Sequence, residues 1–195
     1  MTNLWKFGGG FIEMISAFIS FFRLGVEHIL TGYDHLLFIF SLLIARQTIK
    51  QYAAVITAFT IAHCLTLTLT VLDIINVPSS IVEPAIALSI CYVAIENIFK
   101  KDVKKRWMIT FVFGLIHGMG FADLLKGMNL AKNYLAFNIF SFNLGIEVAQ
   151  LGILAILLPL LFFIHKWKFS VRVVNVCSAI AFVLGGLWLT ERMFF

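Results

Sequence analysis

Apolar runs long enough to cross a bilayer repeat along most of this chain, separated by short polar connections. A membrane-crossing helix needs about 20 mostly apolar residues, and the chain offers six such stretches. They fall at roughly 24–45, 51–75, 80–99, 106–125, 135–164 and 171–193. Ahead of them, Phe11 to Phe22 is apolar but short. It contains Glu13, follows Gly8-Gly9-Gly10 and ends at Arg23, with no small-residue cleavage site. The pattern therefore predicts a short interfacial helix within residues 1–23, followed by one transmembrane domain over 24–195. The expected fold class is all-α, a polytopic transmembrane helical bundle of about six spans. Pro78-Ser79-Ser80 predicts a turn before the third span, and Pro159 a kink late in the fifth. The sequence displays no repeat at a period of 20–50 residues, no low-complexity linker and no inverted repeat.

Composition agrees with the pattern. Of 195 residues, 61% are hydrophobic and 13% charged, and the mean hydropathy is +0.98. A soluble fold keeps a far more charged exterior. The formal charge of +5 would suggest nucleic acid in a soluble protein, but here the basic residues sit in short connections, so no nucleic-acid partner is expected. Ten of the fifteen Lys and Arg residues follow the first, third and fifth spans: Arg46, Lys50, Lys100, Lys101, Lys104, Lys105, Arg106, Lys166, Lys168 and Arg172. The positive-inside rule assigns that side to the cytoplasm and both termini to the opposite side. Cys64, Cys91 and Cys177 form no CxxC and read as packing residues.

Against this apolar background, the polar residues inside the spans carry the chemical information. Ionisable groups in hydrocarbon are costly unless they pair, bind an ion or line water. His28, Asp34 and His35 lie in the first span, His63 in the second, His117 in the fourth and Glu147 in the fifth. At about 1.5 Å per residue, His35, His63, His117 and Glu147 all come out roughly 12–18 Å below the same face. Three or more imidazoles with one or two carboxylates suit zinc, nickel, cobalt or copper(II), and suit magnesium or calcium poorly. Asp34 could be a ligand or could hold an imidazole N–H. Thr60, Asn143 and Gln150 are supporting candidates, and Glu83 is a candidate guard of the outer mouth. No HExxH, GxSxG or phosphate-cradling loop is present.

GVEHILTGYDHLLFIFSLL, ITAFTIAHCLTLTL, VEPAIALSI, FGLIHGMGFA and FNLGIEVAQ, in that order, resemble the HupE/UreJ family of hydrogenase/urease accessory membrane proteins, in its second branch. The main branch opens its first motif with His-Pro, where this chain has Glu27-His28. The resemblance implies a bacterial inner-membrane protein, related to members regarded as nickel or cobalt permeases. It carries over His28, Asp34, His35, His63, His117, Asn143 and Glu147 as motif positions.

The expected function is a permease for a divalent transition metal, bound in the outer half of the membrane. The alternative is an intramembrane zinc-dependent hydrolase or transferase acting on a lipid or peptide, with Asp34 or Glu147 as general base. The expected partners are the lipid bilayer and the ion, with assembly into a homo-oligomer left open.

Overall fold

The computed structural model describes residues 4–100, 105–121 and 135–194. These residues form only helices: α1 Leu4–Thr31, α2 Tyr33–Ile44, α3 Ile49–Val71, α4 Ser79–Phe99, α5 Arg106–Gly120, α6 Leu135–Lys166 and α7 Ser170–Phe194. Five of them are long and apolar enough to cross a membrane: α3, α4, α6, α7 and the Ile12–Thr31 part of α1. Their large apolar side chains also face outward, including Ile12, Ile19, Ile156, Phe163 and Val171. A bilayer accepts that surface and water does not.

The first span departs from expectation. The boundary drawn at residues 23/24 falls inside α1, which runs unbroken through Gly8–Gly10, Glu13 and Arg23. Glu13 is exposed, and Arg23 pairs with Glu27 on the exposed surface at 2.7 Å. A charged residue on an outer face does not end a helix. The break comes at Gly32 instead, where ψ is 91° and α2 starts in a new direction. A Cβ at residue 32 would meet the His28 carbonyl at 2.8 Å and His35 Nδ1 at 3.1 Å, so the bend requires glycine. Elsewhere the boundaries match within a few residues, although 122–125 of the expected fourth span lie outside the described residues. A capping box between Thr48 and Gln51 starts α3. Pro159 stays inside α6.

Helix directions follow from which residues meet. Phe18 meets Phe137 and Ser141, while Gly25 meets Phe142 and Ile146, so α1 and α6 run the same way. By the same reasoning α3 and α5 are parallel, since Gly114 meets Phe59 and Ala62 while Gly118 meets His63 and Thr66. Asn97 Nδ2 donates to Ser41 O, and Phe38 packs with Ile90 and Val93, which aligns α2 with α4. Cys91 approaches Phe182, and Glu83 approaches Arg192, so α4 and α7 are antiparallel. Tyr52 reaches Ala45, and Phe59 reaches Phe38, so α3 returns against α2. The chain thus makes six alternating passes, the first shared by α1 and α2.

These pairings contain a symmetry that the sequence does not display. The three most extensive helix contacts are α3 with α5, α4 with α7, and α1 with α6. Exchanging passes one, two and three with passes four, five and six maps α1·α6 onto α3·α5 and α4·α7 onto itself. Corresponding passes run in opposite directions, which defines an inverted-topology repeat. The correspondence extends to side chains. Gly25-x-x-His28 on α1 matches Gly114-x-x-His117 on α5. Each glycine meets a phenylalanine backbone, Phe142 for Gly25 and Phe59 for Gly114. The ring of His28 lies 5.7 Å from Phe142 and 3.9 Å from Phe121, and that of His117 lies 5.3 Å from Phe59 and 4.6 Å from Phe38.

Candidate metal centre

Four imidazoles meet where the two halves interlock. His28 comes from the end of α1, His35 from the first turn of α2, His63 from the middle of α3 and His117 from the last turn of α5. Their ring centres are 4.6 Å apart for His28–His35, 5.1 Å for His35–His117, 5.8 Å for His35–His63 and 5.9 Å for His28–His63. Bonds of ~2.1 Å from a tetrahedral ion to imidazole nitrogens would place ring centres about 5 Å apart. The cluster has the right size. His63 and His117 are 0% exposed and His35 is 5% exposed, with Phe38, Phe59, Phe121 and Phe142 packed around the cluster.

Hydrogen bonds fix two of the rings. Asp34 Oδ1 accepts from His35 Nδ1 at 3.0 Å and from the His35 backbone N–H at 2.8 Å. Arg192 Nη2 donates to Asp34 Oδ2 at 3.2 Å. Held this way, His35 presents the lone pair of Nε2. Ser89 donates to Ile86 O at 2.6 Å, so its oxygen accepts from His117 Nε2–H at 3.0 Å and leaves the Nδ1 lone pair free. A carboxylate or hydroxyl behind each imidazole is the usual support for a metal-binding histidine.

Five buried ring nitrogens lack a partner: Nε2 of His28 and His35, Nδ1 of His117, and both nitrogens of His63. An unsatisfied buried polar atom costs about 1–3 kcal/mol, so the group together costs ~5–15 kcal/mol. That is as large as the whole stability of a typical fold. A cation shared among the rings would satisfy these nitrogens. The donors are not a finished cage, however. Among the described residues no three His, Cys, Asp or Glu groups already stand in coordination geometry. Coordination therefore requires rings to turn about their side-chain bonds; His63, with both nitrogens unpartnered, can do so without breaking a hydrogen bond, while His35 and His117 are held by Asp34 and Ser89.

The other sequence candidates lie elsewhere. Glu147 lines a lateral cleft of about 640 Å³ with Thr60, Cys64 and Asn143, apart from the imidazoles. Depth along the axis brought Glu147 level with the histidines, but its position around α6 turns it away. The face of α6 that meets the cluster carries Phe142 instead. Thr60 donates to Gln150 Oε1 at 2.6 Å, linking α3 to α6 beneath the histidines. Thr66, Thr68 and Thr70 of α3 donate to carbonyls one turn back, at Ala62, Cys64 and Thr66. Glu83 stands with Asp34, Arg192 and Glu191 around a polar cleft of about 560 Å³ at one end of the bundle.

The opposite end carries a charged network in which Glu96 and Asn97 pair with the basic residues beside them, as their sequence positions suggest. Arg106, 2% exposed, donates through Nε to Glu96 Oε2 at 3.1 Å, through Nη1 to Leu42 O at 3.1 Å, and through Nη2 to Asn97 Oδ1 at 2.6 Å. Lys100 adds a bond to Glu96 Oε1 at 3.2 Å. Adjacent to a lysine-rich connection, Arg106 reads as a topology signal; the acid and amide at Glu96-Asn97, one turn from the end of α4, are the only sequence hint of its partners. Between this lock and the histidines, Ile39, Leu42, Leu43, Ile56, Phe59 and Gln150 enclose a void of only about 10 Å³.

A polytopic helical membrane protein with a histidine cluster at the interface of two inverted halves is the class these features define. Within that class the chain belongs to the HupE/UreJ family: the family model described as "HupE / UreJ protein" matches residues 11–192. No curated protein and no solved structure matches the chain.

Proposed function

We propose that this protein is a permease of the cell inner membrane for a divalent transition metal of the nickel, cobalt or zinc group, working by alternating access. The observation that carries this reading is the four-imidazole cluster, with unpartnered nitrogens, at the junction of two inverted three-pass halves. Soft nitrogen donors select late divalent metals, which are the transported substrate here. His28, His35, His63 and His117 bind the ion, with Asp34 and Ser89 orienting two of them. Glu147, Asn143, Thr60 and Gln150 lie outside that set. Inverted repeats let the same site face each side in turn as one half rocks on the other.

The two charged clusters fall where gates are needed. Asp34, Glu83 and Arg192 form the outer one, around a polar cleft whose Asp34 also holds His35. Arg106, Glu96 and Asn97 form the inner one, with almost no space above it. The positive-inside rule places the Arg106 end in the cytoplasm and both termini outside. The hydrolase alternative finds no such support. Asp34 is engaged by His35 and Arg192, and Glu147 is in a separate cleft, so neither is positioned as a base for metal-bound water.

The test is flux. Purified protein in proteoliposomes should take up radiolabelled nickel, cobalt or zinc, and His35→Ala and His63→Ala should abolish uptake. Stoichiometric metal binding without flux would overturn the permease reading in favour of an enzyme or a storage site.

A further inference from the structure

At the end of the bundle carrying Arg106, a second cavity has no part in metal handling. It has a volume of about 730 Å³ and lies between the α2–α3 connection and the last turns of α6. Small-molecule sites span about 300–1,000 Å³. One wall is apolar: Ala155, Leu158, Pro159, Phe162 and Phe163 of α6. Phe162 is 59% and Phe163 69% exposed, so this wall is continuous with the lipid-facing surface. Pro159 cannot donate to Ala155 O, which leaves that carbonyl without its helical partner in the wall. The rim is basic. Arg46, His165 and Lys166 line the cavity, and among the described residues no carboxylate does.

Three further details describe the ligand. Thr48 caps Gln51 N, so the remaining first-turn N–H groups of α3, at Ile49 and Lys50, have no intrahelical acceptor and favour an anion. Lys166 Nζ rests 4.1 Å above the Phe162 ring, which places a charge directly over the apolar wall. Gln47 Nε2 donates to Leu42 O at 2.8 Å, which fixes the amide and leaves Oε1 buried without a partner.

We propose that this cavity binds one anionic phospholipid from the leaflet at this end of the bundle, for which phosphatidylglycerol serves as the probe. The phosphate meets Arg46, Lys166 and the α3 N-terminus, and an acyl chain lies along Leu158, Phe162 and Phe163. Basic recesses between membrane helices are suited to this ligand class. The ligand bridges the α2–α3 connection to α6 and so ties the two inverted halves together at the inner end.

The test uses the full chain in nanodiscs of phosphatidylcholine containing phosphatidylglycerol, followed by native mass spectrometry of the lipid retained. Phosphatidylglycerol should be kept in preference to phosphatidylcholine. Arg46→Gln with Lys166→Gln should lower its retention about thirtyfold, the factor expected for two interfacial cations. Ala155→Phe, which fills the apolar wall from an exposed position, should lower it without changing charge. Lys105→Gln, at the same end but outside the cavity, should change nothing. Equal retention of both lipids would overturn the proposal, as would a Lys105→Gln loss matching that of the double variant. Displacement of the lipid by millimolar inorganic phosphate would also overturn it, because the site would then recognise a free anion.

Discussion

Arg106 provides the sharpest quantitative test of how its end of the bundle is held. Its guanidinium is buried and engages Glu96, Asn97 and Leu42 O, while Glu96 is itself 6% exposed. Arg106→Met removes the charge but keeps the apolar stem, leaving Glu96 with only the mostly exposed Lys100 as an ionic partner among the described residues. Breaking a buried pair from one side costs about 3–5 kcal/mol, because the remaining charge loses its compensation. Glu96→Gln leaves Arg106 its bonds to Asn97 and Leu42 and should cost less, about 2–3 kcal/mol. The double variant has no stranded charge, so its cost should fall at least ~2 kcal/mol below the sum of the two single costs. Reversible unfolding in mixed micelles, monitored by Trp107 and the other tryptophans, measures all three. If Arg106→Met unfolds within about 1 kcal/mol of the parent protein, or the two substitutions simply add, the buried lock is not what closes this end.

Four further outcomes follow from the histidine geometry. Asp34→Asn should weaken metal binding about 10–100-fold in calorimetric titration, because His35 loses the carboxylate that holds its tautomer. Glu147→Gln should leave the same titration unchanged, since Glu147 lines the lateral cleft with Cys64 and Asn143; a matching loss would place it in the metal shell. Gly114→Ala would put a methyl group against the Phe59 carbonyl and the Ala62 methyl. It should force α3 from α5 and lower stability by at least ~1–3 kcal/mol in the unfolding assay. Gly25→Ala, the equivalent intrusion against the Phe142 carbonyl in the other half, should have a similar cost. Tolerance of one and not the other would argue against functional equivalence of the two halves.

Hydropathy made most of the passes legible because bilayer thickness fixes the length of each span. It also gave the depth of His35, His63 and His117, since rise per residue is constant along a helix. Rotation around the helix axis is a different matter. Glu147 shares the histidines' depth but faces the lateral cleft, and nothing in a single sequence reports that azimuth when most faces are apolar. The break at Gly32 was hidden for a related reason. Gly32 sits among polar residues that read as a site, while the residues on either side remain helical. The inverted repeat survives as backbone packing with little sequence trace beyond the two Gly-x-x-His motifs. Gly25 and Gly114 became equivalent only when each was seen against a phenylalanine carbonyl.

X-ray absorption at the metal edge of cobalt- or zinc-loaded protein puts the meeting of the four imidazoles on one ion to its most direct test. Three or four nitrogen scatterers at about 2.0–2.1 Å with outer-shell imidazole features are expected, falling by one ring in His63→Ala. An oxygen-only shell, or a spectrum that His63→Ala and His35→Ala leave unchanged, would contradict it.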